Sequence, residues 1–128
     1  MDVFLTGATG YIGGAIADAL LRAGHSVIAD AVYTRAADRR AIERVAATTS
    51  VPFIGLWLEA PESVLIDRTV QRRNDASDAD ASIVRMQRAQ DTGDIGWYRL
   101  DASLPMASVL AAAVNRVREG AHGTLNAV

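Results

Sequence analysis

The 128-residue chain predicts a three-layer α/β/α sandwich around a mostly parallel sheet. Three observations carry that prediction. Short apolar runs alternate with longer segments of helical periodicity, the order from which parallel sheets with crossover helices are built. A glycine-rich turn, TGATGYIG at residues 6–13, joins the first apolar run to the first helical segment. Residues 53–58, FIGLWL, form an unbroken apolar run, as expected of a parallel strand covered on both faces.

Val3, Phe4 and Leu5 supply the first strand, and the alanine- and leucine-rich stretch 15–21 supplies the helix beyond the turn. Ala23 and Gly24 end that helix, with glycine where helices turn left-handed and stop. Residues 25–29 read as a second buried strand ending at Asp30. From 36 to 49, apolar residues at Ala37, Ala41, Ile42, Val45 and Ala46 have helical spacing. Arg39, Arg40, Glu43 and Arg44 are expected on the solvated face of this helix. Ser50, Val51 and Pro52 break it before the third strand at 53–58.

Ala60, Pro61 and Glu62 open the next helix, with proline and an acid in its first turn. It runs to Arg73 and gathers Arg68, Arg72 and Arg73 toward its end. Residues 74–80 are polar and acidic, a loop by composition. Helix resumes from 81 to 91 and stops at Thr92, Gly93 and Asp94. Residues 95–100 give a fourth strand ending at Asp101. Leu104 and Pro105 start a last helix with Val109, Leu110, Ala113, Val114 and Val117 as its buried stripe, and from Gly120 the chain reads as a frayed tail. Residues 1–120 are expected to form one domain, with 121–128 as the tail.

Composition limits the chemistry. Half the residues are hydrophobic and the net charge is −2, which excludes a disordered chain and a surface built to coat nucleic acid. Cysteine is absent, so disulfides and thiolate catalysis are excluded. His25 and His122 make no metal-type spacing. Asp75, Asp78 and Asp80 have a metal-like rhythm but lack the glycine and distal glutamate of a calcium loop. No apolar run has the length of a membrane span, and the expected class is a cytoplasmic protein. All 13 basic side chains are arginine, so any mechanism that needs a lysine is closed.

The glycine turn is the segment richest in chemistry. Gly7 permits the sharp exit from the strand, Gly10 leaves room for a diphosphate against the backbone, and Gly13 lets the helix pack close. The helix start offers free N–H groups and a positive dipole end to an anion. The candidate binding residues are therefore Gly7, Ala8, Thr9, Gly10, Tyr11, Ile12 and Gly13. Asp30, about twenty residues on, stands where such a site places its ribose-binding carboxylate. Arg35 follows, placed to meet a 2′-phosphate. Ala60, Pro61 and Asp101 fall, like these, at carboxyl ends of strands.

These residues resemble two families. From Met1 to about Val27, with TGATGYIG after the first strand, the chain resembles the extended short-chain dehydrogenase/reductase family, whose glycine turn holds NAD(P) in a Rossmann-like fold. From about Gly24 to Val117 the segments HSVIADAVYTRAADRRAIERVA, VPFIGLWLEAPESVLIDRTVQRRNDASDADASIVRMQ and WYRLDAS resemble the later part of a small P-loop kinase. That subgroup is the AAA-type ATP-binding domain related to gluconate kinases. This second resemblance implies that Arg68, Arg72 and Arg73 are lid arginines that reach nucleotide phosphates, with 74–80 in the lid. It also implies that Asp30 matches an acid near the acceptor and metal site.

The chain departs from both patterns. A P-loop kinase needs G-x-x-x-x-G-K-[ST], whose lysine bridges the terminal phosphates and whose hydroxyl holds magnesium. This chain has GATGYIGG in that place. The reductase chemistry needs a tyrosine with a lysine four residues later, and Tyr11, Tyr33 and Tyr98 lack one. The sequence thus reads as a composite, a dinucleotide-type unit over 1–27 joined to a kinase-like portion over 28–120. Two functional readings follow. One is a catalytically incomplete nucleotide-binding protein taking NAD(P), or less favourably ATP–Mg, with no metal site of its own and no nucleic-acid or membrane partner. The other is a degenerate ATP-binding fragment or a structural module that completes its sheet with a partner or as a homodimer.

Overall fold

A computed structural model describes residues 1–73 and 78–123 of the chain. It is a mixed α/β structure in the order β1 (Asp2–Thr6), α1 (Tyr11–Arg22), β2 (Ser26–Asp30), α2 (Ala36–Thr48), β3 (Leu56–Glu59), α3 (Glu62–Arg73), α4 (Asp78–Ala89), β4 (Tyr98–Asp101) and α5 (Met106–Gly123). The strands pair in parallel, β1 with β2 and β3 with β4. This is the predicted class, with parallel strands joined by helices. Two compact units divide the chain. One gathers Met1–Phe53 with Thr92–Asp94, and the other gathers Ile54–Asp91 with Ile95–His122.

In the first unit, β1 and β2 are in register from Asp2↔Ser26 to Thr6↔Asp30. Their side chains alternate, so Val3, Leu5, Val27 and Ala29 are half-buried while Phe4 and Ile28 point outward. The helices α1 and α2 pack against each other. They bury small or branched residues at helical spacing, Gly13 and Ala17 on α1, Ile42 and Ala46 on α2. The stop of α1 is as the sequence predicts. Gly24 has φ of 87°, and its N–H bonds the Leu21 carbonyl at 3.0 Å.

In the second unit, β3 and β4 align Leu56↔Tyr98 through Glu59↔Asp101. The run at 53–58 does not become one strand. Gly55 lies against the Trp97 indole so closely that a Cβ there would sit 2.4 Å from the ring, and pairing starts at Leu56. Nor is the strand covered on both faces, for Leu58 is 62% exposed. The face of a strand is buried only where a helix or second sheet lies over it.

The stripe expected to be buried on α5 is likewise open at Leu110, Val114 and Val117. That helix runs on through Gly120 to Gly123, so Gly120 does not stop it. A Cβ on Gly120 would meet the Ile54 side chain at 2.7 Å, so the glycine serves close packing. Helix α4 begins at Asp78, within the stretch 74–80 expected to be a loop, while residues 74–77, with Asp75, lie outside the described residues. No described helix is long and apolar enough to cross a membrane.

Candidate functional site

The turn between β1 and α1 is built by backbone chemistry. Gly7 has φ of 69°, a conformation that side chains disfavour, and this bends the chain off the strand. Its N–H donates to the Asp30 carbonyl at 3.1 Å, which ties the turn to the tip of β2. The Gly10 N–H reaches back to the Gly7 carbonyl at 3.4 Å, and the Gly14 N–H bonds the Gly10 carbonyl at 3.0 Å as α1 begins. Ala8 is buried, whereas Thr9, Gly10, Tyr11 and Ile12 are exposed, with Tyr11 at 94%.

The three glycines of the pattern have distinct surroundings. A Cβ on Gly13 would lie 2.6 Å from the Gly7 carbonyl oxygen and 2.9 Å from the Ala8 Cα, both backbone atoms. Only glycine lets α1 approach the turn this closely. A Cβ on Gly10 would touch only the Gly7 carbonyl, at 3.8 Å, so the space above Gly10 is open. The first-turn N–H groups of Tyr11, Ile12 and Gly13 have no intrahelical acceptor. No side chain caps them and no acid lies in that turn. The positive end of α1 thus faces solvent across an exposed backbone.

Asp30 stands beside this turn, in register with Thr6, and its carboxylate is exposed without an ion pair among the described residues. Arg35 forms the N-cap of α2; its guanidinium lies 3.5 Å from the Asp38 carboxylate and stays mostly exposed. The first unit therefore brings together the glycine turn, Asp30 and the loop that ends at Arg35. Of the arginines assigned to a lid, Arg68 is exposed on α3, in the second unit. Arg72 and Arg73 close the same helix, and their side chains lie outside the described residues.

Arg39 is placed otherwise than the sequence predicts. It is 4% exposed, although its helical spacing among charged neighbours assigned it to the solvated face. Its Nη1 donates to the carbonyls of Tyr33 at 2.7 Å and Thr34 at 2.9 Å, and its Nη2 donates to the Thr92 carbonyl. The helical position was legible in the sequence; the carbonyls that draw the guanidinium inward were not. Tyr33 beside it is buried in a left-handed backbone conformation, φ 51°. Burial, followed by the charges of Asp30 and Asp38, raises the Tyr33 phenol above its usual 10.0.

The second unit uses its strand ends differently. Arg99 pairs with Glu59 at 2.8 Å, Arg85 with Glu62 at 3.1 Å, and the Arg88 Nη1 donates to the Ala60 carbonyl at 2.6 Å. Asp101 accepts from the Ser103 hydroxyl and backbone N–H, and these bonds hold its carboxyl below the usual range. No cluster of potential metal ligands occurs among the described residues.

Parallel strands joined by helices, with an exposed glycine turn after the first strand, are those of a P-loop- or Rossmann-like α/β fold. The family model described as AAA domain matches residues 6–92, more than half of the chain, and the chain belongs to that family, whose fold is that of P-loop kinase-like nucleotide-binding proteins. The match over 6–92 takes in the glycine turn and the kinase-like segments up to residue 87; the segment WYRLDAS at 97–103 lies outside it, and no match supports the reductase resemblance over 1–27. No curated protein and no solved structure matched the chain.

Proposed function

We propose that the chain binds a nucleotide through its diphosphate at Gly7–Gly13, with Asp30 meeting the ribose, and does not complete catalysis alone. The observation that carries this reading is the approach of Gly13 to the Gly7 carbonyl. Counted from Gly7, residue 13 is where a P-loop places its lysine and residue 14 its magnesium-binding hydroxyl. In this turn a side chain at 13 would overlap backbone, and residue 14 is glycine. The geometry supports the dinucleotide-type arrangement, in which the third glycine packs helix to strand. NAD(P) is therefore the favoured occupant, with the diphosphate over Gly10 and the N–H groups of Tyr11 to Gly13.

Without a lysine in the chain, neither phosphoryl transfer nor tyrosine–lysine reduction has its usual charge. A second reading, a degenerate site for ATP, is favoured by the family match alone.

Fluorescence titration with NADH tests the proposal. Saturable binding is expected, weakened about tenfold or more by Asp30→Ala, since a hydrogen bond to a charged group is lost. Undiminished affinity in that variant would remove Asp30 from the site, and no binding of NADH or NADPH would remove the proposal.

A further inference from the structure

We propose that Arg39 is a positioning residue for the ribose end of the bound nucleotide, an inference that rests on the reading above. The loop between β2 and α2 starts one residue past Asp30 and ends at Arg35. Arg39 holds that loop from the first turns of α2 by donating to two consecutive carbonyls, Tyr33 and Thr34. The same guanidinium donates to the Thr92 carbonyl, 53 residues away in sequence, and so docks Thr92–Asp94 on the same unit.

A planar fork with several N–H donors can serve carbonyls from two chain segments at once, which a single ammonium cannot match. Tyr33 itself adopts a backbone conformation that bulky residues rarely take. A loop of this kind keeps its shape only where surrounding contacts over-determine it, and Arg39 supplies two of them while its third bond anchors the guanidinium to Thr92. Arg39 needs no contact with ligand. It presets the path of the loop that leaves Asp30 and carries the Arg35 side chain, while the turn at Gly7–Gly13 is held by backbone hydrogen bonds within itself and to the Asp30 carbonyl.

Two ligands separate these parts. NADH engages the turn and the ribose loop, whereas inorganic pyrophosphate engages only the turn. On the full chain, Arg39→Lys is expected to weaken NADH about tenfold and leave pyrophosphate affinity unchanged, because the charge remains and the fork is lost. Equal weakening of both ligands would show a merely structural role and overturn the proposal, as would no change in either. If the unaltered chain binds pyrophosphate but no NADH, or neither, the nucleotide reading itself has failed and the inference goes with it.

Trypsin gives a second arm that needs no ligand. The Arg35–Ala36 bond of the unaltered chain is expected to be cut slowly despite the exposure of Arg35, and about tenfold faster in Arg39→Lys. Rapid cutting in the unaltered chain, or equal rates in the two chains, would show that no preset loop exists.

Discussion

The two units use the carboxyl ends of their parallel strands in opposite ways. After β1 the chain turns through glycine, spends backbone bonds on itself, and leaves Asp30 and the start of α1 exposed. After β3 and β4 the available charges are already paired: Glu59 with Arg99, Glu62 with Arg85, Asp101 with Ser103, and Arg88 with the Ala60 carbonyl. An acid at a strand tip is thus weak evidence of a site until its partners are known. Asp30 and Asp101 look alike in sequence, yet one is unpaired among the described residues and the other accepts two hydrogen bonds.

The sharpest way to break this comparison is at Gly13. A Gly13→Val side chain would meet backbone atoms at 2.6 and 2.9 Å, which cannot move aside without shifting α1. Destabilisation of about 3 kcal/mol is expected from such overpacking, measured by denaturant unfolding. Gly13→Lys should fare no better, so putting a lysine at the P-loop position is not expected to create ATP binding in this turn. A stable Gly13→Lys chain that binds ATP–Mg would reverse the assignment of the turn.

Gly10 sharpens the same comparison without unfolding. The space above it is open, so Gly10→Val is expected to fold but to lose nucleotide affinity by at least about tenfold, as the branched side chain fills the place of the diphosphate. Unchanged NADH affinity would place the ligand elsewhere.

Smaller effects are expected from the remaining contrasts. In the first unit, the raised Tyr33 phenol means that the folded chain holds this proton more tightly than the unfolded chain. Its contribution is intact below the ordinary value of 10.0 and declines as pH rises from there through the folded value. Tyr33→Phe should flatten the alkaline limb of a stability–pH profile, and an unaltered limb would exclude Tyr33 as its source. In the second unit, Glu59→Gln removes an exposed ion pair. A loss below about 1 kcal/mol is expected, with nucleotide affinity unchanged. A large loss of binding in Glu59→Gln would mean that the second unit contributes directly to recognition.

The fold class was legible because its signals are local. The glycine turn, the stop at Gly24 and the periodicity of α2 each depend on a few neighbouring residues, and each appears where the sequence places it. What escaped depends on distant partners. Trp97 lies against Gly55 just before β3, and Ile54 lies against Gly120 within α5. Arg39 reads as surface by spacing and becomes buried because carbonyls at 33, 34 and 92 converge on it. The open faces of β3 and α5 belong to the same class, since burial needs a covering layer that periodicity alone does not supply.

The central claim is that the glycine turn still holds a dinucleotide, and thermal unfolding of the full chain with NADH, NADPH and ATP–magnesium tests it most directly. A ligand present at a hundred times its dissociation constant stabilises by about 2.7 kcal/mol, enough for a clear shift in midpoint. Stabilisation by NADH or NADPH but not by ATP–magnesium is the predicted result. A shift with ATP–magnesium alone, or with none of the three, would contradict it.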